Sequence, residues 1–288
     1  MTPSFSLPTA EIYVPDGVAP AEALARTTHL AVGAHQDDLE IMAADGILKC
    51  FQRPDRWFTG VVVTDGAGSP RDDLYRDYTD AMMKEIRRRE QKKAAYVGDF
   101  SAAILLDHPS ASIKDPNDAR PVDDILAILQ ATRPDTVYTH NLADKHDTHI
   151  AVTLRTIAAL RRLPPGDRPA RVYGCEVWRD LDWLPDAEKV AFDLSAHENL
   201  QAALVAIFDS QICGGKRYDL ATAGRRRAHA TYAASHGTDS ATSLSYAMDL
   251  TPLVTDPSLD PAAFVAATVD RFAADVTGRV RKYQAGRA

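Results

Sequence analysis

The chain contains the stretch HLAVGAHQDDLE, His29 to Glu40, in which a five-residue apolar run opens directly onto one imidazole and three carboxylates. A short apolar run bounded by a polar turn reads as a buried strand, and the segment from Leu39 to Phe51 has the period of a helix. A strand that hands over to a helix in this way is half of a parallel βαβ unit. Mutually repelling carboxylates beside a core cost free energy unless a cation or hydrogen-bond donors compensate them. The stretch therefore asks for a positive charge that the sequence does not itself supply.

The same alternation continues outward. Strands are predicted at His29–Gly33, Phe58–Thr64, Ala102–Leu106, Thr136–Thr139 and Arg171–Val177, separated by helices at Leu39–Phe51, Thr79–Val97, Val122–Ala131 and His149–Leu160. This is the signature of an α/β fold, a Rossmann-like parallel sheet flanked by helices. After Pro185 the alternation fades into a mainly helical C-terminal extension, with one helix marked by Leu200, Leu204 and Ile207 and a second containing Arg225 to Ala234. A last apolar stripe, Val265, Val269, Phe272, Val276 and Val280, reads as a packing face.

Composition removes several functions. The 288 residues carry a formal charge of -7 and no basic block, which argues against nucleic acid as a partner. The runs Arg87–Arg89 and Arg225–Arg227 read as solvated helix faces. No apolar stretch approaches the roughly 20 residues needed to span a bilayer, and the start has no basic region leading into an apolar one, so the expectation is a cytoplasmic protein without membrane contact. Three cysteines without a CxxC pair favour neither a disulfide framework nor a thiolate zinc site.

A second polar cluster, DKHDTH at Asp144 to His149, follows the strand-like DTVYTHN and precedes the helical IAVTLRTIAAL. An i, i+3 spacing puts His146 and His149 on one side of a helix start. His35 and Asp38 are also three apart. Two histidines and one carboxylate around an open fourth position are the ligand set of a hydrolytic zinc site. A further carboxylate can accept a proton from water, and a spare histidine can stabilise an oxyanion and protonate a leaving group. The competing reading makes Asp37 and Glu40 a capping box worth about 1 kcal/mol. His29, His108, His140, His197 and His229 read as structural or surface residues.

AHQDDLE resembles the AHPDDxE signature of the LmbE-like, or PIG-L, zinc-dependent N-deacetylases, and DKHDTH resembles their DxHxDH signature. The resemblance implies that His35, Asp38 and His149 bind Zn2+ or another divalent transition metal. Asp37 would be the general base, and His146 the oxyanion-stabilising group and general acid. Asp144 would orient His146 or touch substrate, and Glu40 would fix ligand orientation. The sequence departs from the family at Gln36, in place of proline, and at Asp147 and Thr148, in place of proline and aspartate. Thr148 leaves His146 without its usual carboxylate partner, for which Asp147 and Asp144 are the available substitutes.

The loop DGAGSPRDD, Asp65 to Asp73, neither completes GxGxxG nor carries the Lys-Ser/Thr of a P-loop. By resemblance it lines the substrate pocket, with Arg71 meeting a hydroxyl or anionic group. Asp107, at a strand end, is a second candidate for a sugar hydroxyl, and Trp178 and Trp183 offer apolar faces to a sugar ring. The resemblance implies one domain over 1–288, with a Rossmann-like core at about 28–180 and a C-terminal part, 181–288, that completes the pocket. The expected function is hydrolytic removal of an N-acetyl group from an amino sugar or sugar-containing metabolite, with a small N-acylated sugar-type molecule as the partner. An amidase acting on a larger sugar or thiol conjugate, and a noncatalytic sugar- or metal-binding relative, are the alternatives; homo-oligomerisation is left open.

Overall fold

Eight strands form one sheet among residues 2–284, which the computed structural model describes. They are β1 (Glu11–Tyr13), β2 (His29–Gly33), β3 (Phe58–Thr64), β4 (Ala102–His108), β5 (Thr136–His140), β6 (Arg171–Cys175), β7 (Lys189–Asp193) and β8 (Leu244–Asp249). Side by side they run β1-β4-β3-β2-β5-β6-β8-β7. The central five are parallel, and β1, β8 and β7 extend the two edges antiparallel. The helices are α1 (Pro20–Ala25), α2 (Asp38–Met42), α3 (Ala44–Cys50), α4 (Asp80–Val97), α5 (Ser110–Lys114), α6 (Arg120–Thr132), α7 (Asp147–Arg161), α8 (Glu198–Ala206), α9 (Asp209–Ile212), α10 (Tyr218–Tyr232), α11 (Thr251–Thr255) and α12 (Pro261–Gln284).

From β2 the chain builds β3 and β4 on one side, then crosses back to lay β5 and β6 on the other. The order reverses between β2 and β5, which pair directly through His29–Thr136, Leu30–Val137 and Ala31–Tyr138. In an open α/β sheet such a reversal opens a crevice at the carboxyl ends of the strands. β2 runs into His35 and β5 runs toward Asp144–His149, so the topology brings two clusters that are distant in sequence to one crevice.

The period-two alternation of each strand divides the core between two faces. Leu30, Val32, Val61, Val63, Ile104 and Leu106 pack with residues of α1, α6 and α7. Ala31, Val62, Ala103, Leu105 and Tyr138 pack with Leu39, Ile47, Ala94 and Leu204 on the opposite side. Strands buried on both faces read as continuous apolar runs, which is why β2 and β3 have the bounds expected from the sequence. Gly60 seats α2 on the sheet: a Cβ there would lie 2.6 Å from Leu39 Cδ1.

Differences from expectation have local causes. The helix expected at Leu39–Phe51 breaks at Ala43 (φ −109°, ψ 23°) into α2 and α3. The C-terminal part is helical but also contributes β7 and β8, where Tyr246 and Met248 turn to one core face and Ala247 to the other; runs this short carry too few residues for the alternation to stand out. The arginine runs are not solvated faces, because three consecutive helical residues sweep about 200° of the helix. Arg87 is 1% exposed and Arg226 is 6% exposed, and Arg226 donates to the carbonyls of Glu40 and Ile41 at 3.1 and 3.0 Å, holding the C-terminal end of α2. The last apolar stripe is a packing face only in part, since Val269, Val276 and Val280 are exposed. Among the described residues no helix is long and apolar enough to cross a membrane.

Candidate active site

The turn after β2 is pinned from both neighbouring strands. The N–H of Ala34 donates to His140 Nε2 at 2.9 Å, and its carbonyl accepts from the Thr64 N–H and hydroxyl at 2.9 and 2.8 Å. His35 N–H then donates to Asp38 Oδ2 at 2.6 Å, closing the turn into α2. Between them Asp37 has φ 96°, a left-handed conformation that costs a non-glycine residue about 1 kcal/mol or more. Asp37 holds the N-cap position of α2, but its side chain makes no capping hydrogen bond and its buried Oδ2 has no partner among the described residues. Burial first, and then the neighbouring Asp38, push its carboxyl well above the usual range.

Three donor atoms meet beside it. His35 Nδ1 lies 3.2 Å from His149 Nε2 and 3.3 Å from Asp38 Oδ2, and His149 Nε2 lies 3.5 Å from the same carboxylate oxygen. Zinc takes nitrogen and carboxylate oxygen at about 2.0–2.2 Å, and the edge of a tetrahedron is about 1.6 times its bond, or about 3.3–3.6 Å. The three separations are close to the edges of such a face. His35, Asp38 and His149 therefore fit a face of a tetrahedral divalent ion; Asp37 and His146 line the same cavity, and a ring nitrogen of His146 also lies within 4.8 Å of those of His35 and His149. His140 also comes within reach of Asp38 and His149, but its Nε2 already accepts from Ala34.

The other residues of DKHDTH divide differently from expectation. Asp144 does not orient the ring of His146, and its side chain is fully enclosed. Its Oδ1 accepts from the backbone N–H of His146 at 3.0 Å, and its Oδ2 accepts from Trp178 N–H at 3.2 Å and faces His149 Nδ1 at 3.5 Å. Burial would make the His149 imidazole harder to protonate, but Asp38 and Asp144 outweigh it and raise its pKa. His146 sits at the cavity with its Nδ1 buried and unpartnered. Burial, followed by repulsion from His149 and His35, lowers its pKa to about 4. Asp147 is exposed and Thr148 is buried, and among the described residues no carboxylate partners the His146 Nδ1. Glu40 turns away from the donor atoms to accept from Gln91 Nε2 at 2.8 Å, and burial raises its pKa to about 8.

A sequence profile of the PIG-L family, described as GlcNAc-PI de-N-acetylase, matches residues 30–160. Over those residues, a little under half of the chain, the sequence is similar to the PIG-L family. A search of curated proteins returns no match. Among solved structures, the fold is similar to an N,N'-diacetylchitobiose deacetylase from Pyrococcus horikoshii, with a TM-score of 0.62 and 15% identity over 80% of this chain and 86% of that one. It is also similar to a conserved protein from Thermus thermophilus (TM-score 0.61, 18% identity, 81% and 99% covered) and to the 4-carboxy-2-hydroxymuconate hydratase GalB from Pseudomonas putida (TM-score 0.58, 18% identity, 81% and 100% covered). At these identities the likeness is one of fold, and a fold shared with a hydratase does not select a reaction.

The matched segment opens onto a cavity of about 450 Å³ lined by His35, Asp37, Asp38 and His146. Gly66, Gly68, Ser69 and Pro70 form one wall, so the loop expected to line the pocket does so. Arg87 fastens that loop, donating to Gly66 O at 2.7 Å and Ser69 Oγ at 2.6 Å. Arg71 does not line the cavity: it donates to Ala67 O and pairs with Asp80. Asp107 is likewise drawn away, paired with Arg88 at 2.9 Å. Trp178 lines the cavity, whereas Trp183 packs on Phe272.

Residues beyond the matched segment complete the wall: Val177, Trp178, Gln211, Lys216 and Tyr218. Lys216 lies 4.9 Å from the Trp178 ring, and neither it nor the cavity-lining Lys114 forms an ion pair among the described residues. Sequence reading missed His140, Arg87, Lys114, Gln211, Lys216 and Tyr218. His140 stood at the functional end of a predicted strand, which was a usable signal. Nothing in GGKRY marked Lys216 or Tyr218, since only the tertiary fold carries them to the crevice.

Proposed function

We propose that this protein is a metal-dependent hydrolase that removes the N-acetyl group of an amino sugar or sugar-containing metabolite, with the whole chain acting as one domain. The observation that carries this reading is the near-tetrahedral donor face of His35, Asp38 and His149, open to a cavity in which a strained, unpartnered Asp37 is placed next to it. The PIG-L match supports the choice of an N-acetyl sugar over other amides. A zinc-type ion held there would supply Lewis acidity, polarising the amide carbonyl and bringing the pKa of water toward about 7.

The chain's own residues do the rest. Asp37 takes a proton from the attacking water, and its burial among few donors suits it to accept one. The carbonyl carbon becomes tetrahedral as the water oxygen adds. His146, neutral at pH 7, donates to the developing oxyanion. Collapse breaks the C–N bond; with no carboxylate behind His146, Asp37 is the group placed to return the proton to the leaving amine. Asp144 acts at one remove, fixing His149. Trp178 offers the sugar an apolar face, and Lys114 and Lys216 are the cations available to its polar substituents, in place of Arg71 and Asp107.

The test is an Asp37→Ala variant with metal restored. Metal content should stay at the wild-type level while acetate release from N-acetylated sugars and glycosides falls about 10²–10⁴-fold, the usual contribution of a positioned acid-base group. Normal turnover in that variant would remove Asp37 from the mechanism. Turnover of the wild type that survives full chelation would remove the metal.

A further inference from the structure

Next to the cavity lies a smaller pocket of about 120 Å³, and Val177, Trp178 and Tyr218 line both. The rings of Trp178 and Tyr218 meet edge to face, 6.1 Å apart at 89°, so both belong to a wall that the two spaces share. Another wall is a single face of α10, where Tyr218, Ala221, Thr222 and Arg225 stand at i, i+3, i+4 and i+7.

Three charged residues also line the pocket, and the protein already engages each of them. Glu176 is 3% exposed; its Oε1 accepts from Leu181 N–H at 2.6 Å and His229 Nε2 at 2.9 Å, and its Oε2 accepts from Tyr246 N–H at 2.9 Å and faces Ser245 Oγ at 3.4 Å. Arg226 donates to Gln201 Oε1 at 2.9 Å and to the carbonyls of Glu40 and Ile41, and Arg225 donates to the carbonyls of Val177 and Trp178. What is left for a ligand is Ile41, Val177, the two aromatic rings, Ala221 and one hydroxyl, that of Thr222. The cavity is the opposite case, since its Lys114 and Lys216 form no ion pair among the described residues.

We propose that the pocket is a second subsite of the same binding site, which takes a short, uncharged alkyl group carried by the sugar as a glycoside. The proposal rests on the sugar reading of the cavity and narrows its substrate to an alkyl glycoside of an N-acetylated amino sugar. The pocket touches none of His35, Asp37, Asp38 and His146, so the group it takes is not the reacting acetyl. It opens past Trp178, the ring against which the sugar is set, so a substituent of that sugar reaches it directly. An apolar cavity of about 150 Å³ holds benzene, so this one suits a chain of about four carbons. A charged tip would gain nothing there, because the arginines and Glu176 have their partners within the protein.

The experiment is calorimetric binding of the methyl and butyl β-glycosides of glucosamine to the full-length protein, which reads binding without turnover. The butyl glycoside should bind about 10–60-fold more tightly, at up to roughly fourfold for each added CH2 buried. A chain of the same length ending in a carboxylate or an amine should show no such gain. Ala221→Phe, at an exposed position of α10, should bind the methyl glycoside as the wild type does, while the butyl gain falls below about twofold. Equal binding of the two glycosides, a gain that survives Ala221→Phe, or tighter binding of the carboxylate-tipped chain would each overturn the proposal. So would a gain seen with N-butyrylglucosamine in place of the butyl glycoside, which would give the pocket to the acyl group. Chain-length-dependent binding with no acetate release would refute the hydrolase reading alone, and acetate release without the chain-length gain would refute the pocket alone.

Discussion

Replacing Asp144 by asparagine separates a residue that holds the metal ligand from one that works on substrate. The carboxylate faces three groups: its Oδ1 accepts from His146 N–H, and its Oδ2 accepts from Trp178 N–H while facing His149 Nδ1. An amide supplies one oxygen and one NH2. If the NH2 takes the Oδ2 position, it opposes the Trp178 N–H and donates to His149 Nδ1, driving the ring proton to Nε2, the atom of the donor face. If it takes the Oδ1 position, it opposes the N–H of His146. Either arrangement leaves a buried N–H without an acceptor, at about 1–3 kcal/mol. Loss of the carboxylate behind a ligating histidine typically lowers metal affinity 10–100-fold, which is about 1.4–2.7 kcal/mol. Zinc titration of metal-free Asp144→Asn against a chromophoric chelator, at fixed pH, should show that drop, with turnover partly restored at saturating zinc. Undiminished zinc affinity with a large fall in kcat would refute the reasoning and return Asp144 to the substrate side, as the sequence alone suggested.

Gly66→Ala should destabilise the cavity wall by about 1–2 kcal/mol, read as a lower Tm with a raised KM, because Gly66 has φ 76° and a Cβ would lie 2.5 Å from Gln36 Oε1. Trp178→Ala should raise KM roughly 5–30-fold with a smaller change in kcat, as loss of about 1–2 kcal/mol of ring contact predicts, since its backbone bond to Asp144 survives. Burial opposes ionisation of Asp124, but donors from His108 at 2.9 Å and Ser6 at 2.6 Å more than compensate and lower its pKa. Its contribution to stability is therefore full above the unfolded carboxylate range, near pH 4, and is lost as pH falls through the lower folded value. In urea titrations, Asp124→Asn should be less stable than wild type at pH 6, and the gap should close in acid; a constant gap down to pH 2 would count against the assignment.

By itself the sequence determined the strands of the central sheet and the two clusters at its functional edge. Strands buried on both faces must be apolar throughout, and a strand-to-helix turn that carries His35, Asp37 and Asp38 declares its chemistry within a few residues. The i, i+3 spacing in DKHDTH offered His146 and His149 alike, and only the resemblance to the PIG-L signatures gave His149 to the metal. Everything that depended on a partner outside the local segment was invisible. Asp144 was expected to orient His146 or touch substrate, and only the tertiary fold sets its Oδ2 between the Trp178 N–H and His149 Nδ1. Arg71 and Asp107 had the right charges, but Asp80 and Arg88 claim them. The cations at the cavity, Lys114 and Lys216, come from segments with no pattern of their own. The apolar stripe of α12 was plain in the sequence, yet whether it faced its own body or solvent was decided by where the body ends. Periodicity records what each residue type prefers to bury; which neighbour satisfies a charge or covers an apolar face is fixed only when distant segments meet.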